Sequence, residues 1–176
     1  MIKTITRVLT AVACLVILAS CSAKKTVAPK PQWLFEKNAI TLRLKADRIL
    51  NMYEGAPHTL MLCVYQLRDD EMLNQLASNE DGIYQLLDCE IFDSSVRNAK
   101  RLIIHPGQDL TFVMDRLAGT RKIGFVAGYS QLQKERIVKT INIPVLVSKD
   151  NKSAVAMEIK GIVNLGSEQI AAIQSY

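Results

Sequence analysis

Few residues in this chain have the types and spacing that chemistry requires. Its two histidines, His58 and His105, both stand in turn contexts, His105 directly before a proline. A zinc site needs three or four ligands, and neither histidine has another histidine or cysteine at ligand spacing. Cys63 is five residues from His58, in a strand-like run that would put odd-spaced residues on opposite faces. Asp88, Glu90 and Asp93 form a local acidic group. Paired carboxylates hydrolyse glycosidic bonds, so a cell-wall hydrolase is the enzymatic reading of that group; a polar loop at a sheet edge is the plainer one. There is no Gly-x-Ser-x-Gly elbow, and Gly107, Gly119, Gly124 and Gly128 lack the spacing of a phosphate-binding loop. The expectation is a protein without catalytic residues, metal site or cofactor, and not an enzyme.

The cysteine with a chemical role lies near the N-terminus. Lys3 and Arg7 make a positive start, and Val8 to Ala19 is an almost unbroken apolar run of about a dozen residues. That length suits a signal-peptide core and falls short of the ~20 residues a spanning helix needs. The run closes on Leu18-Ala19-Ser20-Cys21, which resembles the bacterial lipobox. The resemblance implies that residues 1–20 are a lipoprotein signal peptide, that the Cys21 thiol takes a diacylglycerol, and that its new amine is acylated after cleavage. Three acyl chains, at about 0.8 kcal/mol per buried methylene, make such an anchor effectively permanent. Cys14 leaves with the signal. Ser22 stands where an inner-membrane retention signal would carry aspartate, which favours the outer membrane of a Gram-negative bacterium, facing the periplasm.

Residues 21–36 then read as a lipidated tether, with Lys24, Lys25, Pro29, Lys30 and Pro31 keeping the stretch to about Gln32 extended. Trp33, Leu34 and Phe35 close it with an apolar cluster expected to pack onto the domain; aromatic contact with lipid headgroups is the other reading. Without residues 1–20, 20 basic residues face 17 acidic ones, a charge of +3. That excess is mild and spread out, with no aromatic-interleaved basic stripe, which argues against nucleic acid as a partner. Residues 37–176 are long enough for one domain with a substantial core. Cys63 and Cys89 remain in it. An oxidising periplasm makes one disulfide between them available, and an inert buried thiol at Cys63 is the alternative; the sequence leaves both open.

The elements of that domain are mostly strands. Ile40, Leu42, Leu44 and Ala46 alternate with Thr41, Arg43 and Lys45, the pattern of a half-buried strand. Thr59 to Leu67 is continuously apolar, a central strand. Asp69 and Asp70 are expected to cap a short helix through Ala77, and Gly82 to Leu87 predicts a second. Strand signals resume at Arg101–Ile104, Leu110–Met114, Ile123–Tyr129 and Ile137–Val147, the last limited to a sheet edge or bulge by Pro144. Lys149 to Lys152 predicts a hairpin turn, after which Val155, Met157 and Ile159 are expected to point inward. Seven to eight strands with turns between them predict an antiparallel β-sandwich, mainly β, with a helical insertion between the second and third strands. The loop Asp47 to Pro57 is unusual because Ile49, Leu50, Met52 and Tyr53 make its middle apolar; such side chains either fold back or meet a partner.

Several of these stretches resemble the TssJ (SciN/VasD-like) lipoproteins of type VI secretion systems. The likeness lies in Leu44-Lys45-Ala46-Asp47 leading to Leu50-Asn51 and Gly55-Ala56-Pro57, in Val64-Tyr65-Gln66-Leu67 before an acidic helix start, in Ile104-His105-Pro106-Gly107-Gln108, and in Ile123 to Tyr129. The polar run Asp88 to Asn98 and the Cys63/Cys89 pair depart from the family pattern. The resemblance implies a transthyretin-like sandwich at the outer membrane that binds the periplasmic C-terminal domain of the inner-membrane protein TssM, within a TssJ–TssM–TssL complex. It implies that the loop after the first strand meets TssM, so Leu50, Asn51, Met52, Tyr53 and Glu54 are the expected contacts. The competing expectation is a periplasm-facing lipoprotein that acts on or binds cell wall, or takes a small apolar ligand.

Overall fold

The computed structural model describes residues 29–175. Its elements follow in the order β1 (Glu36–Ala46), β2 (Leu60–Leu67), α1 (Glu71–Leu76), α2 (Glu80–Leu87), β3 (Val96–Ile104), β4 (Asp109–Arg116), β5 (Lys122–Ala127), α3 (Lys134–Ile137), β6 (Val138–Asn142), β7 (Val145–Val147), β8 (Ala154–Ala156), β9 (Ile159–Leu165) and β10 (Ile170–Ser175). Two four-stranded sheets, ordered β10-β9-β1-β4 and β3-β2-β5-β6, stack as a sandwich, and β7-β8 is a separate hairpin. The expected mainly-β sandwich with two helices between β2 and β3 is what forms. The strand number is higher than expected because the two three-residue strands of the hairpin and the terminal β10 carry little periodicity. All neighbours are antiparallel except β1 and β9, which run parallel.

β2 is apolar except at Gln66 because both its faces are covered. Leu60, Leu62, Val64 and Gln66 face the other sheet; Cys63, Tyr65 and Leu67 face the helical pair. Gln66 is fully buried, and its amide ties the sheets together. Its Nε2 donates to Asp115 O at 2.8 Å, and its Oε1 accepts from Leu117 N and Thr120 Oγ1, both at 2.9 Å. On the helical side Tyr65 Oη donates to Leu86 O and its ring meets Phe92 edge-on at 5.5 Å. Burial pushes the Tyr65 hydroxyl well above its ordinary range, so it stays a donor. α1 lies close on the sheet at Gly124, where a Cβ would come within 2.9 Å of Leu73 Cδ1.

Asp70 holds the N-cap position of α1 but makes no side-chain cap bond. Its carboxylate pairs instead with Lys122 Nζ at 2.9 Å and accepts from Thr140 Oγ1 at 3.2 Å, tying the helix start to β5 and β6. Cys63 and Cys89 form a disulfide with Cα atoms 5.2 Å apart. Cys89 follows α2 with φ +56, the left-handed position that glycine usually fills at a helix end, and the crosslink to β2 holds it there.

The strands run between two poles. The tether enters at one: Gln32 N donates to Ala154 O at 3.0 Å and Gly119 N to Trp33 O at 2.8 Å, and β1 starts beside them. At the other pole, roughly 30 Å along β1's 11 residues, lie the β1–β2, β3–β4, β5–α3 and β9–β10 loops. Of the cluster expected to pack down at the tether pole, only Trp33 does so, under the Arg121 guanidinium at 5.9 Å. Leu34 and Phe35 are 63% and 57% exposed. Val155 and Met157 are also exposed, against the inward reading; Ala154 and Ala156 are buried instead. The strand breaks at Met157–Glu158, so the alternation of β9 does not carry back into β8.

Candidate functional site

The β1–β2 loop is caught by two neighbouring loops. Gly107 N donates to Asp47 O at 2.9 Å, Asp47 N to Leu165 O at 2.8 Å, and Met52 N to Ser167 O at 2.9 Å. Leu50 is fully buried, so one of the loop's four large apolar side chains folds back onto the core. Asn51 is 8% exposed, with φ +47. Asparagine tolerates this left-handed backbone better than most residues, because its short amide bonds nearby groups. Here Nδ2 donates to Thr59 O at 3.0 Å, and Oδ1 accepts from Ser130 N at 2.9 Å. Of the five residues expected to meet a partner, Leu50 and Asn51 therefore turn inward and set the loop.

Past this anchor the chain reverses tightly. Tyr53 and Ala56 exchange two backbone bonds at 3.0 Å, with Glu54 (φ +49) and Gly55 (φ +79) at the corner. Positive φ at both central residues is type I′ geometry. The turn holds Glu54 in solvent and leaves Tyr53 54% exposed. His58 supports it from behind: its ring meets Tyr53 edge-on at 6.1 Å, and its Nδ1 donates to Ala56 O at 2.9 Å. Met52 is half-buried, and its carbonyl accepts from Ser130 Oγ at 3.3 Å. The outward face of the loop is thus Ile49, Tyr53 and Glu54, on a base fixed by Asn51. Ser130, which fixes that base, carries no local signal: its partner is 79 residues away.

The other chemical candidates do not converge. His58 and His105 stand in different loops. Asp88 and Glu90 are exposed, while Asp93 is used locally, its Oδ1 accepting from Ser95 N at 2.9 Å and Ser95 Oγ at 2.6 Å. Among the described residues no group of three His, Cys, Asp or Glu side chains could hold a metal ion. The space between the sheets is filled by Leu42, Leu44, Val64 and Phe125, all essentially inaccessible. An open groove of about 1170 Å³ lies outside the sandwich, between α2 and the β5–α3 loop, and mixes Ile83 and Leu87 with Asp88, Arg101, Ser130 and Lys134. Cys21, the signal peptide and the tether up to residue 28 lie outside the described residues.

A two-sheet sandwich that presents a pinned loop at one pole has the form of an interaction domain. The chain belongs to the type VI secretion lipoprotein family (SciN; VasD, EvfM, TssJ), whose model matches residues 38–160. The fold is similar to that of the T6SS lipoprotein TssJ1 from Pseudomonas aeruginosa, with TM-score 0.59 and 18% identity over 83% of this chain and 98% of that one. It is similar to Serratia marcescens Lip, a membrane bound component of the type VI secretion system, with TM-score 0.58 and 16% identity over 80% and 96% of the two chains. A third match, TM-score 0.57 and 12% identity over 78% and 96%, is to a chain in a structure described as the T6SS protein TssM C-terminal domain from EAEC. None of the curated proteins matches this sequence.

Proposed function

We propose that this chain is a non-catalytic anchor in a type VI secretion membrane complex. Acylated Cys21 holds it to the outer membrane on the periplasmic side, and the β1–β2 loop binds the periplasmic C-terminal domain of a TssM-like inner-membrane protein within a TssJ–TssM–TssL assembly. The observation that carries this reading is the pinned type I′ turn, which holds Tyr53 and Glu54 in solvent at the pole opposite the tether. An exposed aromatic on a rigid base binds at low entropic cost, because little is left to order on association. Family membership and the likeness to a chain in a TssM structure support the choice of partner.

Titrating the TssM-like periplasmic domain against the mature chain tests the loop. Tyr53→Ala with Glu54→Lys should weaken binding at least tenfold without changing the fold by circular dichroism. Unchanged affinity would move the interface elsewhere. In cells, Cys21→Ser should leave a folded domain and abolish secretion; normal secretion by that variant would remove the anchor from the mechanism.

A further inference from the structure

Exposed apolar side chains are concentrated at the tether pole. Among the described residues thirteen large hydrophobic side chains stand exposed, and seven are there: Leu34 and Phe35 on the incoming chain, Val145, Leu146 and Val147 on β7, and Val155 and Met157 on or just after β8. The patch is built into the fold. Gln32 adds itself to the β7–β8 hairpin, with Gln32 N donating to Ala154 O at 3.0 Å and Ala156 N to Gln32 O at 3.4 Å. Beneath it Arg116, 3% exposed, bonds Glu36 Oε2 and Met157 O, each at 2.6 Å, so the start of β1 and the end of the hairpin are held together. Basic groups border the patch: Lys30, Arg121, and Lys149 and Lys152 in the hairpin turn, against Glu158 and Asp150.

We propose that this pole rests on the surface of the membrane that holds the lipid anchor. The occupant follows from the chain's path, and this step relies on Cys21 being the anchor. Gln32 lies eleven residues after Cys21, so the domain's entry point can stand no more than about 40 Å from the lipid. The end of the molecule that the tether reaches is the end with its apolar side chains outward. Apolar and aromatic side chains suit the headgroup boundary, and the basic border suits anionic lipid. The consequence is an orientation: with Phe35 and Leu146 at the lipid, β1 runs away from the membrane and presents Tyr53 and Glu54 roughly 30 Å out. The tether then serves as a short leash on a domain seated by its own surface.

Trp33 is the chain's single tryptophan and lies in this segment, so it reports the contact directly. The full mature chain, lipidated, is reconstituted in phosphatidylethanolamine–phosphatidylglycerol vesicles containing brominated lipid. Trp33 emission should be quenched at least threefold more in the wild type than in a Phe35→Ser/Leu146→Ser double variant that floats equally well with the vesicles. Equal quenching in the two would overturn the proposal. Failure of the wild type to float would instead remove the Cys21 reading. The unlipidated Cys21→Ser chain separates the two ideas: with the patch intact it should partition onto the same vesicles at least tenfold better than with Phe35→Ser/Leu146→Ser added. No difference overturns the docking whatever Cys21 carries. A patch-dependent dimer by sedimentation, without vesicle binding, would assign the surface to a second copy of the chain and overturn the lipid. Both residues are more than half exposed, so the substitutions leave the core untouched.

Discussion

Ser130 donates its backbone N–H to the Oδ1 of Asn51 at 2.9 Å, joining the β5–α3 loop to the β1–β2 loop across 79 residues of sequence. Because the Nδ2 of Asn51 also donates to Thr59 O, one side chain fixes both ends of the segment that carries Tyr53 and Glu54. Asn51→Leu should leave the Ser130 N–H and the Thr59 carbonyl unpaired and cost about 1–3 kcal/mol in urea denaturation. Asn51→Asp keeps the acceptor for Ser130 and loses only the donor, so its loss should be smaller. Both should weaken binding of the TssM-like domain although Tyr53 and Glu54 are untouched.

Gly55 tests the turn without any steric complication, since a Cβ there would meet nothing within 4 Å. The cost of Gly55→Ala is then conformational, about 1 kcal/mol for an L-residue at φ +79. Amide hydrogen exchange should show faster opening at the Tyr53 and Ala56 N–H groups, whose bonds close the turn. Unchanged protection would mean that the turn is held from elsewhere.

Gln66→Leu fills the same place with an apolar side chain. It strands the Leu117 N–H, the Thr120 hydroxyl and the Asp115 carbonyl at the contact between the sheets. About 3 kcal/mol of destabilisation is expected in guanidinium, with the unfolding slope unchanged. A loss under 1 kcal/mol would show that water replaces the amide.

The Cys63–Cys89 bond closes a loop of 26 residues that contains both insertion helices. Chain-entropy arithmetic for that loop gives about 3.5 kcal/mol. Reducing the bond, or making Cys63→Ala with Cys89→Ala, should lower stability by that order. The helical region, including Tyr84 and Leu86, should show the largest change in nuclear magnetic resonance shifts.

Asp70 predicts an acid limb. Burial alone would raise its carboxyl, but the Lys122 hydrogen bond and charge and the Thr140 hydroxyl outweigh burial and hold it below the ordinary carboxylate range. Its folded pKa is therefore below its unfolded one. The stability it contributes is complete above about pH 4 and is lost as the pH falls through the folded value. Asp70→Asn should flatten the change in unfolding free energy between about pH 5 and pH 2, measured against the wild type.

Local pattern was enough for the sandwich, because its strands have one-dimensional signatures. Ile40, Leu42 and Leu44 alternate, and the unbroken run through Leu67 marks a strand covered on both faces. The insertion helices were legible from Leu73, Leu76, Ile83 and Leu87 at helical spacing. The apolar loop could be seen as odd, but not sorted: Leu50 and Tyr53 look alike in sequence, and only the Asn51 bond to a distant loop turns one inward and the other out. Asp70 reads as a helix cap because a cap is local, whereas its actual partners, Lys122 and Thr140, are brought up by the sheet. The Cys63–Cys89 pair was one of two readings until β2 and the end of α2 were placed side by side. The exposed pole was read only in part: Leu34 and Phe35 stood out as a cluster with two readings and Val155 was expected to point inward, since whether an apolar residue is covered depends on what lies across from it. Periodicity along one chain determined which segments become strands and helices. Pairings across 50 to 80 residues, as between Gln66 and Leu117 or Glu36 and Arg116, decided which side chains were left to meet something else.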